Sequence, residues 1–409
     1  MKNWKRMLAL LLSLALAASL CACGFTADPT GGTANPDPSP DASASLAPGA
    51  EPTIEVDLSK DVLDFSAGIP AGDALLTVNG VEVKADLMLY WLALSCQNFM
   101  SYYGMFGIQL SDDIGDGTTF GDQMRLSAAN IASYYVLLQQ KAAQLGCLPT
   151  DAQTQEARDL MMADGQENYD RLKAAFGLTD ESMEFLYLSD VYYENVLNAI
   201  VPTATDEMLN NYVYQAKHIL IKTVDTDAEP ILQDDGTYAY PALPAETVAE
   251  KTRQAEDILA QIRAADDPIA KFDELMNEFS EDGRDEETGE LAAPDGYTTV
   301  LGEMVPGFEQ GALALKPGEI SGLVESSYGY HIILRGEVAD LESYAEDCRA
   351  YQVDKEIDAM RDAAEVTRAP ALDALDVAAF YDRFTAYQYA LAEQYQSAEG
   401  DSGDGDAVG

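Results

Sequence analysis

Positive charge is scarce in this sequence: Lys and Arg number 24 against 71 Asp and Glu, a formal net charge of −47. A surface so negative repels phosphate backbones instead of releasing their counterions, which argues against nucleic acid as a partner. Histidine is scarcer still, with two in 409 residues, His218 and His331. Neither has a Cys/His/Asp cluster at ligand spacing, so no metal site is expected. Cysteine beyond the N-terminus is limited to Cys96, Cys147 and Cys348. Three widely spaced thiols read as neither a disulfide framework nor a zinc site, and core thiols are the expectation, with one Cys96–Cys147 bridge left open. No apolar run after residue 20 is long enough to span a bilayer. Walker-type loops, a Gly-x-Ser-x-Gly elbow and a His-Glu-x-x-His helix are all missing. Asp112, Asp113 and Asp116-Gly117 resemble a calcium loop only loosely. Ile114 stands at a ligand position and Gln123 where a bidentate Glu belongs.

What is present is ample apolar material, 47% of the residues, in a chain long enough for two or three domains. Lys2, Lys5 and Arg6 precede an apolar run from Met7 to Leu20, the layout of a secretory leader over residues 1–22. Leu20-Cys21-Ala22-Cys23 resembles a bacterial lipobox, which implies cleavage before a lipid-modified Cys23 and anchoring at the extracytoplasmic face of the cell membrane. Residues 23–53 are rich in Pro, Ala, Ser, Gly and Asp and read as a disordered tether. Residues 396–409 read as a frayed acidic tail.

Helical periodicity marks both flanks of the remainder. After a hairpin signal at Asn79-Gly80, an apolar run opens at Asp86 and extends to Tyr103. Met124, Ile131, Tyr135, Leu138 and Ala142 recur at helical spacing, as do Leu186, Tyr193, Leu197 and Ile200. Thr179 and Thr205 stand as hydroxyl caps before acidic first turns. Val353, Ile357, Met360 and Ala364 form a further stripe, and residues 377–395 another. Between the flanks, residues 212–338 follow a different order: a strand at 216–223, two helices, a Gly- and acid-rich loop, a short helix at 306–314, and strands at 319–325 and 329–335.

In this middle section five blocks occur in order: Ala216–Thr223, Phe279-Ser280-Glu281-Asp282, Gly302–Glu309, Leu315–Ile320 and Ser327–Ile333. Together they resemble the motif series of parvulin-type peptidyl-prolyl cis/trans isomerases. The helical flanks and lipobox give a looser similarity to extracytoplasmic foldases of the PrsA and SurA kind. The resemblance implies an α+β architecture: a helical chaperone domain built from 54–211 and 339–395, carrying an inserted isomerase domain at 212–338 with a small antiparallel sheet among helices. It also places His218 and His331 as the paired histidines under the catalytic floor, Ser326 as the hydroxyl bonded into that pair, and Asp282 facing the substrate carbonyl. Met304 and Phe308 fall at the apolar pocket for the proline ring. Without the resemblance, two histidines in apolar strands read as core imidazoles that require hydrogen-bond partners.

The sequence departs from the family pattern at Gly289–Tyr297, where no pocket leucine can be assigned, and at Thr223–Pro244, an enlarged loop with a turn expected at Asp234-Asp235-Gly236. That loop holds Asp225, Asp227, Glu229, Asp234 and Asp235 beside one Lys222, which opposes a phosphorylated residue before proline. The functional expectation is a membrane-anchored foldase acting without a cofactor on Xaa-Pro bonds of unfolded or nascent secreted proteins. A non-catalytic holdase is the alternative. A solute-binding lipoprotein would need paired α/β lobes, for which the strand-helix alternation is missing.

Overall fold

The computed structural model describes residues 54–115, 117–233, 238–285 and 288–401. The leader, the whole tether with Cys23, Asp116, the turn at Asp234-Asp235-Gly236 and the chain end lie outside that set. The chain divides into two compact units, one made of residues up to Ala199 together with those from Lys355 onward, the other of Ile200–Asp354. The architecture is α+β.

The first unit begins with α1 (Val62–Ser66), capped by the Asp61 carboxylate, which accepts from the amides of Leu63 and Asp64. β1 (Ala74–Val78) and β2 (Val81–Lys84) form the expected hairpin, with Asn79 and Gly80 at φ of 50° and 81°. The long α2 (Ala85–Tyr103) is apolar on most sides and buries Met88, Leu89, Leu92 and Cys96. After a 3₁₀ turn at Gly104–Phe106 come the short pair β3 (Asp113–Gly115) and β4 (Thr118–Thr119), then α3 (Phe120–Leu145). Thr119 and Asp122 form a capping box at the start of α3. Trp91 stacks on Tyr135 with centroids 5.4 Å apart, joining α2 to α3. Helices α4 (Asp151–Met161), α5 (Gln166–Phe176) and α6 (Asp180–Ile200) follow.

The middle unit runs through α7 (Asp206–Tyr212), β5 (Val213–Lys222), the short pair β6 (Ile231–Leu232) and β7 (Tyr238–Ala239), α8 (Ala245–Ala264) and α9 (Pro268–Phe279). It continues with β8 (Tyr297–Val300), α10 (Pro306–Leu313), β9 (Val324–Glu325) and β10 (Gly329–Gly336). The four longer-range strands form one antiparallel sheet in the order β8-β5-β10-β9. β8 was expected to be loop. Its Tyr-Thr-Thr-Val sequence is rich in residues that suit a pleated surface, and Gly296 lets it approach β5: at φ 77°, a Cβ there would lie 2.3 Å from the Ala216 carbonyl oxygen. The strand expected at 319–325 is reduced to β9 plus an isolated bridge from Ile320 to Leu334.

The chain returns to the first unit along α11 (Ala345–Asp362), then β11 (Val366–Arg368), α12 (Pro370–Asp373) and α13 (Val377–Asp401). α13 continues past residue 396, where a tail was expected. β11, which the sequence did not reveal, pairs antiparallel with β1 and completes a sheet in the order β11-β1-β2. Residues from both flanks therefore share one sheet and one core. Tyr387 donates to the Lys60 carbonyl at 2.8 Å, and Lys141 meets Glu356 at 2.7 Å. All three described cysteines are free, with Cys96 and Cys348 buried as core thiols, so the bridge left open between Cys96 and Cys147 does not form. Burial pushes the Cys96 thiol well above its ordinary range.

This unit also buries a carboxylate. Asp86 is fully buried, and its Oδ2 accepts from the Thr179 hydroxyl (2.8 Å), the Thr179 amide (3.1 Å) and the Ser182 hydroxyl (2.6 Å). It fastens the start of α2 to the start of α6. Asp86→Ala would leave those donors without an acceptor, and we expect a loss of about 2–3 kcal/mol in unfolding free energy. Calorimetry of the full chain checks this; an unchanged profile would show that solvent replaces the carboxylate.

Candidate active site

The two histidines meet because of strand register. β5 and β10 pair so that His331 is opposite Leu220 and Ile333 opposite His218. Side chains alternate along a strand, so His218, Leu220, His331 and Ile333 share one face. The other face carries Ile219, Ile221, Ile332 and Leu334, which pack with Ile258, Phe272 and Leu275 of α8 and α9. On the histidine face, Tyr214, Ala216 and Ile333 pack with Phe308 and Ala312 of α10. α10 covers only part of this face, and the histidines lie beside it.

The third strand position is shared. β8 occupies the outer edge of β5 along Val213–Ala216. Beyond it, the segment after α9 takes over: the Ser280 hydroxyl accepts from the Leu220 amide (3.1 Å), the Glu281 amide donates to the Leu220 carbonyl (2.8 Å), and the Glu281 carboxylate accepts from the Lys222 amide (2.7 Å). This zipper delivers Asp282 to His218.

His218 and His331 approach through their Nδ1 atoms at 2.9 Å, with ring planes 10° apart. His218 Nε2 lies 3.0 Å from Asp282 Oδ2, and His331 Nε2 lies 2.6 Å from Ser326 Oγ. Tyr297, from β8, donates its hydroxyl to the same Asp282 oxygen at 2.6 Å. With both rings neutral, only one proton pattern satisfies every contact. The Asp282 carboxylate can only accept, so His218 carries its proton on Nε2 and accepts on Nδ1. His331 then donates from Nδ1 and accepts the Ser326 proton on Nε2. The row of donors runs from Ser326 to Asp282 without a gap, and Ser326 in turn accepts from the Tyr328 amide at 3.1 Å.

The charges fit this pattern. Burial alone would raise the Asp282 carboxyl, but the donors that reach it, the His218 ring N–H, the Tyr297 hydroxyl and the Gly283 amide, outweigh it and bring it down to about 2. Burial lowers His331 to about 3, helped by its partner ring, so it stays neutral across the physiological range. The Tyr297 phenol is pushed up by burial and by Asp282.

The structure brings together all six of the expected residues that it describes. The Phe308 ring lies 5.0 Å from His218 and 5.4 Å from His331, and Met304 packs into the same cluster. Phe308 is 2% exposed whereas Met304 is half-buried, so the accessible apolar contact belongs to the methionine. Leu291, the leucine within the departing segment Gly289–Tyr297, packs on the opposite face with Phe272 and Leu275. The enlarged loop folds back along the end of β5 through a Val224–Ala242 bridge, and Tyr240 contacts Tyr328 at 6.0 Å, two residues from Ser326. Tyr297 was missed in the sequence; the available signal was its place at the head of a β-branched run directly after a glycine.

This fold and hydrogen-bonded row define a parvulin-type domain. Residues 218–337 match the rotamase family model described as a PPIC-type PPIase domain, and that segment belongs to this family. The foldase protein PrsA of Staphylococcus aureus strain Newman is 27% identical over 194 residues, covering 47% of this chain and 54% of the relative. PrsA of the bovine strain RF122 gives the same figures. The chain thus spans about half the length of the curated relatives it matches. Among solved structures, the Bacillus cereus peptidylprolyl isomerase PrsA aligns with a TM-score of 0.32 at 17% identity, over 79% of this chain and 92% of that one. The Bacillus anthracis PrsA gives a TM-score of 0.28 at 16% identity, over 65% and 97%.

Tyr297→Phe tests the electrostatics. A carboxyl held below its unfolded value contributes stability that is complete above about pH 4 and is lost as pH falls toward the folded value. Removing one donor leaves burial less opposed and raises the folded value by about one pH unit, the scale of one hydrogen bond to a charge, so the loss still begins near the unfolded value but ends at higher pH and is smaller. Calorimetry between pH 2 and 7 reads it; an acid loss as large as that of the wild type would show that Tyr297 does not tune Asp282.

Proposed function

We propose that this chain is an extracytoplasmic foldase whose middle unit isomerises Xaa-Pro bonds in secreted proteins and whose helical unit engages them while unfolded. The observation that carries the reading is the gapless row Ser326–His331–His218–Asp282–Tyr297 beside Phe308 and Met304. Rotation about a prolyl bond must overcome a barrier of about 18–20 kcal/mol set by amide conjugation, and it requires no proton transfer, nucleophile or cofactor. The planar amide places negative charge on its carbonyl oxygen; the twisted amide returns that density to nitrogen. A fixed carboxylate at Asp282 facing the carbonyl therefore disfavours the planar form more than the twisted one. Met304 and Phe308 would hold the proline ring while the preceding residue turns. The histidines and Ser326 act by fixing the carboxylate and the floor. A non-catalytic holdase is the second reading, favoured by the placement of Leu291 away from the pocket.

Met304→Ala should lower kcat/KM on an Ala-Pro peptide by about tenfold with the fold intact. Phe308→Ala opens a cavity in a buried cluster and costs about 3–5 kcal/mol in stability as well. Exchange NMR of the peptide with the full chain measures turnover; wild-type values in folded Met304→Ala would remove Met304 from the pocket.

The acidic loop supplies selectivity. Asp227 and Glu229 are exposed beside a half-buried Lys222 whose ammonium donates to Thr226. Neutral or basic residues before proline should turn over faster than Glu or phosphoserine, with the difference shrinking as salt rises. A phosphoserine-Pro peptide turned over fastest would overturn this placement of the loop.

Anchoring rests on the lipobox-like sequence alone. Mass spectrometry of the N-terminal peptide from membranes should show diacylglyceryl on Cys23; an unmodified thiol there would remove the anchor. No described helix is long and apolar enough to cross a membrane.

A further inference from the structure

We infer that the tip formed by the end of α2 and the 3₁₀ turn after it is a capture site for unfolded polypeptide, selecting apolar side chains flanked by Lys or Arg. This rests on the foldase reading and assigns it a surface. Met105 is 73% exposed, Phe106 69% and Tyr102 65%, with Tyr103 and Ile114 also exposed nearby in sequence. Such a run of large apolar side chains in water marks an interaction surface, since covering each contributes about 1.5–3 kcal/mol.

The tip is built, not frayed. Phe99, buried in the core, contacts Tyr103 at 5.0 Å and Phe120 at 4.9 Å, and Tyr103 braces Tyr102 edge-on at 4.8 Å. Gly107, at φ 79°, closes the turn that carries Met105 and Phe106. Rigid aromatic rings beside a flexible thioether suit many different apolar partners.

Charge selects the occupant. From Ala85 to Met124 the chain contains no Lys or Arg. Asp112 and Asp113 are exposed beside the tip, with Asp112 held by the Gln109 amide (2.8 Å) and Asp113 by the Gly115 amide (2.7 Å). An anionic lipid surface would be repelled there, and a second copy of a chain carrying −47 would be too. A cationic, apolar, unfolded segment is attracted on both counts.

The test uses the full chain, Met105→Ser/Phe106→Ser, and Asp112→Asn/Asp113→Asn, each checked for native calorimetric unfolding and Ala-Pro turnover. Binding of a labelled Leu/Phe-rich peptide with Lys flanks is compared with the same core bearing Glu flanks. The serine pair should weaken the Lys-flanked peptide by about tenfold and leave turnover unchanged. The asparagine pair should reduce the preference for Lys flanks. Equal binding by wild type and the serine pair overturns the site. So does equal binding of Lys- and Glu-flanked peptides, stronger binding to phosphatidylglycerol vesicles, or self-association that the serine pair abolishes. A wild type that binds neither peptide but isomerises Ala-Pro would instead overturn the client-holding part of the foldase reading, and this site with it.

Discussion

The pairing of β5 with β10 is the constraint on which the candidate site depends. Side chains alternate with period two, so a slip of one residue would send His331 into the apolar layer under α8 and α9 while His218 stayed outside. The register is held from both sides: Ile219, Ile221, Ile332 and Leu334 must be buried, and Phe308 and Ala312 of α10 must meet Ile333 and Ala216. Gly329 adds a local lock, since a Cβ there would lie 2.3 Å from the Ile221 carbonyl oxygen. Burial on two faces thus fixes the geometry of two polar rings that contribute little hydrophobic stabilisation themselves.

Once the rings are placed, the dryness of their surroundings determines their chemistry. A buried imidazole without partners is costly, and each ring nitrogen here has one. The neutrality of His331 and the charge on Asp282 are two aspects of the same arrangement, because the carboxylate requires a donor and the row of hydrogen bonds runs from it back to Ser326. Both perturbed groups also act in the same direction in acid. His331 resists protonation from its ordinary value near 6.5 down to about 3, and Asp282 resists it down to about 2, so the folded unit binds fewer protons than the unfolded chain and loses stability as pH falls.

The middle unit was legible because the motif series it resembles fixes particular residues in particular places: two histidines in strands, Asp282 after Phe279-Ser280, and the Met304/Phe308 block. The flanks were legible as helices because helical burial repeats every three or four residues. β8 and β11 were not, for a shared reason. Each is four residues or fewer, too short for alternation to show, and each owes its strand conformation to a partner distant in sequence, β5 for one and β1 for the other. Tyr297 was hidden with β8, and Leu291, in the segment that departs from the family loop, is placed on the other face by tertiary packing that no local pattern shows.

The shortage of positive charge is sharpened by where the cations sit. Arg284 donates to the carbonyls of Asn277, Ser280 and Gly289, holding the segment that carries Asp282. Arg335 is 3% exposed and donates to the carbonyls of Ala312 and Asn210, and burial lowers its pKa. Lys251 pairs with the Glu281 carboxylate that zips to β5. With 24 cations for 71 carboxylates, most of the acidic charge stays uncompensated whatever the cations bind. The acidic excess read from composition is therefore also present around the site, in the exposed Asp227 and Glu229 of the loop after β5 and in the Asp282 carboxylate that the row of donors holds ionised.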